Sequence, residues 1–254
     1  MAIKKYLLSC WRFFASGGKK EIIAVLGLFV LFLIFRLPLL NFIYHQDEHK
    51  WARIVNPVFN LQGESVHPPL TEITFYYFGE LFGYDHLRWL ILLFALGCFW
   101  LVFAIARSQY GKKAALFSLL LFAVIPYNVI ANIQIDIDGA ILPFWILLTF
   151  WSLTRLDWHA LKSSRTARWW GALLLISILG GLLTKLSFIL IFPGAAVYFW
   201  RRYKPKLNYK LLSRLLLLLL SLAVVLSGAL WLLHEVYPEL SSVRFLQYTT
   251  HFSA

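Results

Sequence analysis

The sequence predicts an all-α, polytopic transmembrane bundle of about seven spans, with interfacial helices in a long first outer loop. Three observations carry that prediction: an apolar excess, apolar runs that recur at spanning length, and basic residues confined to alternate loops. Of the 254 residues, 60% are hydrophobic, 18% aromatic and 14% charged. An ordinary soluble domain is about 45–50% apolar and about a quarter charged. In water a globule of this composition would expose large apolar patches, which soluble monomers avoid. The formal charge of +12 would suggest a nucleic-acid partner in a soluble protein. Here its placement points to membrane lipids instead, and no nucleic acid is expected.

A spanning helix needs about 20 mainly apolar residues to cross about 30 Å of hydrocarbon. Such runs extend from about Ile22 to Leu40, Trp89 to Ala106, Ala114 to Ile130 and Gly139 to Leu153. Three more follow, from about Trp170 to Leu183, Leu186 to Trp200 and Leu211 to Leu233. Before the first run stand Lys4, Lys5, Arg12, Lys19 and Lys20. A cleavable signal peptide has a shorter apolar core and a small-residue cleavage site, so this run reads as an uncleaved first span.

On that count, eighteen of the 24 basic residues share one face: the amino-terminal five, then Arg107 to Lys113, Arg155 to Arg168 and Arg201 to Arg214. Ten of the twelve acids lie on the other, all but Glu21 and Asp157. The positive-inside bias makes the basic face cytoplasmic, with the amino terminus inside. The chain reads as one transmembrane domain over 1–254, in the cytoplasmic membrane if the source is prokaryotic. No fixed-period repeat and no soluble domain is visible. The outer segment from about Asn41 to Arg88 mixes Trp51, Phe59 and Phe75–Phe78 with polar residues, a mixture suited to helices lying in the interface. Cys10 and Cys98 have neither zinc-site nor disulfide spacing, and both read as packing residues.

The candidate functional residues all fall on the outer face. Asp47 and Glu48 stand just beyond the first span. Adjacent positions on a helix point about 100° apart, so one carboxylate could act as base while the other holds the loop or a neighbouring cation. A solvated acidic pair is the plain alternative. His45 and His49, four apart, could in principle bind a metal but read more simply as interfacial donors, and no cofactor is expected. In Val66-His67-Pro68-Pro69-Leu70 the prolines stop one helix and fix the entry to another, leaving His67 at a rigid corner suited to an anion.

Asp136 and Asp138 border the fourth span, where ionisable residues are costly and often functional. A capping role at the start of that helix suits Asp138 equally well. Lys185 closes Gly180-Gly181-Leu182-Leu183-Thr184-Lys185. It reads either as a lysine snorkelling to headgroups or as a counter-charge for phosphate.

Taken in order, these elements resemble the polytopic, lipid-linked glycosyltransferases of the GT-C class, in particular the protein O-mannosyltransferase and lipid A aminoarabinose transferase group. The matching features are the Asp47-Glu48 pair after the first span, His67-Pro68-Pro69-Leu70 before the second, Asp136 or Asp138 at the fourth, and Gly181-Leu182-Leu183-Thr184-Lys185. Many relatives carry Gly-Pro where this chain has Leu186-Ser187. Members are usually longer, so the resemblance implies an amino-terminal portion, with 41–88 carrying the active site. It further implies transfer of a sugar from a polyprenyl-phosphate donor to an acceptor on protein, lipid or glycan at the outer face, with inversion. Carried over, Asp47 takes the acceptor proton and Glu48 supports it. Lys185 and His67 hold the donor phosphate, and Asp136 or Asp138 shapes the sugar pocket.

Two other classes compete. A transporter or channel places ionisable groups near the midplane, often on helices related by a repeat, whereas these acids cluster at one face. A non-catalytic scaffold or half-transferase is the other alternative.

Overall fold

A computed structural model of the chain describes residues 18–42, 48, 68, 70–161 and 163–203. Helix α1 (Lys19–Arg36) runs into a 3-10 turn, Leu37–Asn41. Helix α2 (Leu70–Phe82) and a 3-10 turn, Tyr84–His86, lead to α3 (Leu87–Tyr110). Next come α4 (Lys112–Val124) and the short α5 (Pro126–Ala131). A π-helical turn, Ile137–Ile141, opens α6 (Leu142–Arg155). Helix α7 (Arg165–Thr184), a 3-10 segment, Leu186–Ile191, and α8 (Phe192–Tyr203) complete the described fold. No strand occurs among the described residues.

Four stretches are long and apolar enough to cross a membrane: Lys19–Asn41, Tyr84–Tyr110, Ile137–Arg155 and Arg165–Thr184. They coincide with the first, second, fourth and fifth spans expected from the sequence. The third differs: instead of one helix it is α4 and α5, broken at an extended Ile125 because Pro126 cannot continue the hydrogen-bond ladder. The sixth differs too, entering through a 3-10 segment before its twelve-residue helix. The seventh, and Cys10, lie outside the described residues.

Helix α3 is the centre. Leu87, Ile91, Ala95, Phe99 and Phe103 repeat every four residues and are all buried, forming one stripe. This helix packs between α4 and α6, with α1 against α4 and α7 against α6. Phe32 of α1 meets Phe99 at 5.1 Å between ring centres. The opposite stripe of α1, Ile23, Leu26, Val30 and Ile34, is exposed. Such a stripe on a spanning helix is the face a bilayer covers.

At one end of the bundle Glu21 of α1 is buried against Arg107 of α3 at 2.8 Å and Lys112 of α4 at 3.4 Å. Gly111, at φ 86°, makes the tight α3–α4 corner that brings those two cations together. Between α6 and α7 the buried hydroxyls of Thr149 and Ser177 bond at 3.0 Å, a polar link of the kind that joins helices in lipid. Cys98 is a free, buried thiol whose Sγ donates to the Ala140 carbonyl at 3.5 Å.

Candidate active site

The opposite end of the bundle, where α1 finishes and α3 begins, carries the candidate site. Pro38 draws the chain out of α1 into a 3-10 turn, and helix ends leave carbonyls in need of donors. Arg88, one residue into α3, supplies them. Its Nη1 donates to the carbonyls of Leu39 at 2.9 Å, Leu40 at 3.3 Å and Phe42 at 2.6 Å.

The rest of the same guanidinium grips Glu48. Nε donates to Oε1 at 3.0 Å and Nη2 to Oε2 at 2.7 Å. This is the bidentate fork that arginine alone presents. Both side chains are almost wholly buried. Glu48 Oε1 also accepts the Ile135 backbone N–H at 2.9 Å. One carboxylate therefore ties the end of α1, the start of α3 and the segment before α6.

That segment turns sharply. Asp136 accepts its neighbour Ile137 N–H on Oδ1 at 2.7 Å and caps the π-helical turn. The cap expected at Asp138 is thus held two residues earlier. Asp138 points instead toward α7's end, where its Oδ2 meets Lys185 Nζ at 2.5 Å. Lys185 is extended (φ −156°, ψ 131°). Its backbone N–H donates to the Gly181 carbonyl at 3.0 Å and so stays tied to the helix end. Gly139, next to Asp138, lies flat on the backbone of α5: a Cβ there would collide with the Ala131 carbonyl.

Of the residues singled out from sequence, Glu48, Asp136, Asp138 and Lys185 are therefore gathered at one end, with 135–138 as the common thread. Asp47, His67, His45 and His49 lie outside the described residues. Among the described residues no group of three or more His, Cys, Asp or Glu side chains could hold a metal ion. Sequence reasoning does not single out Arg88 or Arg36 as site residues, although each stands at the edge of an apolar run, where a charge signals a specific partner.

These features define an integral membrane protein, a helical bundle with a polar site built at one end. Over residues 66–231 the chain matches the family model described as dolichyl-phosphate-mannose-protein mannosyltransferase, and it belongs to that family, one of membrane glycosyltransferases of the GT-C type. The matched stretch contains His67, Asp136, Asp138 and Lys185 and begins after Glu48. No curated protein and no solved structure matches the chain.

Proposed function

We propose that the chain transfers one sugar from a polyprenyl-phosphate donor to an acceptor hydroxyl at the non-cytoplasmic membrane face, with inversion at the anomeric carbon. The amino terminus lies in the cytoplasm in this reading. Asp47, covalently next to the anchored Glu48, takes the acceptor's proton while the acceptor oxygen bonds to C1 of the sugar. The bond from C1 to the phosphate oxygen breaks, and its electron pair leaves with polyprenyl phosphate. A hydroxyl is a poor nucleophile until a base within hydrogen-bond reach removes its proton. The departing phosphate carries its own charge and needs a cation rather than an acid.

Lys185 is that cation, assisted by His67. Glu48 supports the base. Asp136 shapes the sugar pocket, and Asp138 holds Lys185 between turnovers. The observation that carries the reading is the continuity of 135–138. Ile135 is bonded to Glu48 and, three residues on, Asp138 is bonded to Lys185. The base's neighbour and the phosphate's cation thus share one short piece of backbone. The family's description makes mannose the first sugar to test and a protein hydroxyl the first acceptor; lipid and glycan acceptors come next.

Membranes containing the protein, a labelled polyprenyl-phosphate mannose and a Ser/Thr peptide are expected to yield labelled peptide. Asp47→Asn is expected to lower kcat by about 10²–10⁴-fold, the usual worth of a positioned base. Lys185→Ala is expected to raise the donor KM. Transfer that survives Asp47→Asn ends the role given to that carboxylate.

A further inference from the structure

Helices α4 and α5 make one apolar run in the sequence and two helices in space. Ile125 is extended (φ −61°, ψ 122°), and Pro126 has no N–H to return to the Phe122 carbonyl four residues back. The ladder stops there, and a bare carbonyl inside an apolar bundle needs a donor from the protein itself.

Arg36 reaches this break from the last turn of α1. Its Nη2 donates to the Phe122 carbonyl at 3.1 Å and to that of Asn128 at 3.4 Å. Its Nη1 donates to Ala123 at 3.1 Å and to Phe32 of its own helix at 3.2 Å. The guanidinium lies 3.8 Å over the Phe32 ring and is fully buried. Among the described residues no carboxylate pairs with it. A charge in an apolar bundle without a counter-ion is costly. Here four carbonyl dipoles take the counter-ion's place, and three of them belong to the broken joint.

The joint leads directly to the site. The Asn128 carbonyl that Arg36 touches also accepts the Asn132 backbone N–H at 3.0 Å, closing α5. Ala131, the last residue of α5, carries the carbonyl on which Gly139 is packed, and Gly139 follows Asp138. We infer that Arg36 is a positioning residue. It supplies donors at the joint where Pro126 has no N–H to give, fixes the angle of α5, and through Ala131 and Gly139 sets where Asp136 and Asp138 stand relative to Lys185. Its bearing on catalysis rests on the transferase reading; its bearing on geometry does not.

The test reads geometry without turnover. In the full chain with Cys10 and Cys98 replaced by alanine, D138C and K185C report the Asp138–Lys185 approach through reaction with a short bismaleimide. R36M is expected to slow that cross-link by about fivefold or more, the scale on which contacting residues couple. R36K, which keeps a donor but not the fork, falls between. R36M/P126A does not regain the loss, because an N–H at 126 reaches the Phe122 carbonyl only if Ile125 turns helical, which swings α5 away from the angle that Arg36 holds. If R36M is not recovered from membranes, R36K decides: recovery with a slowed cross-link supports the inference, and a native rate, or absence of R36K as well, overturns it. A native cross-link rate in folded R36M, or in R36M/P126A, also overturns it. Cross-links that behave as expected in a chain that transfers no sugar would sink the transferase reading and leave this one standing.

Discussion

Glu48–Arg88 and Asp138–Lys185 are both carboxylate–cation pairs at the same end of the bundle, and they are built on opposite principles. In the first the side chains are 2% and 5% exposed, and in the second 49% and 26%. Arg88 also holds three carbonyls, and Glu48 also holds a backbone N–H. Asp138 and Lys185 share a single 2.5 Å contact, and neither side chain has a further partner among the described residues. A saturated buried pair cannot change partners without leaving a charge bare. An open pair with one contact can exchange its carboxylate for another anion at little cost. The first is therefore framework. The second is the one that the proposed reading assigns to the donor phosphate.

The sharpest way to break that distinction is at Arg88. Arg88→Ala takes the bidentate cation from the buried Glu48 carboxylate and the Arg88 donor from three carbonyls, a loss of about 3–5 kcal/mol for such a pair. For a chain of this size that lowers the unfolding midpoint in detergent by roughly 10 °C. Removing both charges together, as Glu48→Gln with Arg88→Met, is expected to recover part of it, since a neutral pair carries no desolvated charge. A midpoint within about 2 °C of the parent for Arg88→Ala would show that the buried pair holds nothing.

Gly139 seats the segment that links the two pairs against α5, so it sharpens the comparison. A methyl group there meets the Ala131 carbonyl. That atom is backbone at the end of α5 and cannot swing aside as a side-chain tip can. Gly139→Ala is expected to cost about 1–3 kcal/mol, the range for overpacking, and to slow any cross-link between 138 and 185. An unchanged midpoint with an unchanged cross-link would mean that α5 and the π-helical turn move independently.

Much of the frame was legible in the sequence. Apolar runs of spanning length located the four long helices to within a few residues, because in lipid the period of the surface matters less than its length and lack of charge. The gathering of Glu48, Asp136, Asp138 and Lys185 at one end followed from the alternation of basic and acidic loops. What the sequence hid was pairing. Nothing in it says that Glu48 is gripped by Arg88 40 residues later, because ion-pair partners across helices leave no periodic trace. The broken third span was written in Pro126 and lost inside an otherwise continuous apolar run. The choice of Asp136 over Asp138 as cap turned on a single extended residue (φ −152°, ψ 160°), in a segment that also bonds to the distant Glu48 through Ile135, a contact the local sequence does not announce.

The smallest expected effect on stability is at Asp138, and there the comparison is most exposed to failure. Half-exposed pairs contribute about 0–1 kcal/mol and are screened by salt, so Asp138→Asn should leave the midpoint nearly where it was, at low and high ionic strength alike. Its effect on the donor should be visible all the same. In the parent, the Lys185 ammonium is already occupied by a carboxylate, and in the proposed reading an incoming phosphate has to displace it. With asparagine in its place that competition weakens, while the cation remains. The donor KM is therefore expected to fall in Asp138→Asn and to rise in Lys185→Ala, two changes of opposite sign from the two halves of one ion pair. A framework pair would behave otherwise: losing either half would destabilise the fold, and both KM values would move together. Steady-state kinetics over a range of donor concentrations, with unfolding midpoints on the same preparations, separates the two. If Asp138→Asn raised the donor KM as Lys185→Ala does, or lowered the midpoint as Arg88→Ala does, Asp138–Lys185 would be a second piece of framework and the phosphate would have to be held elsewhere.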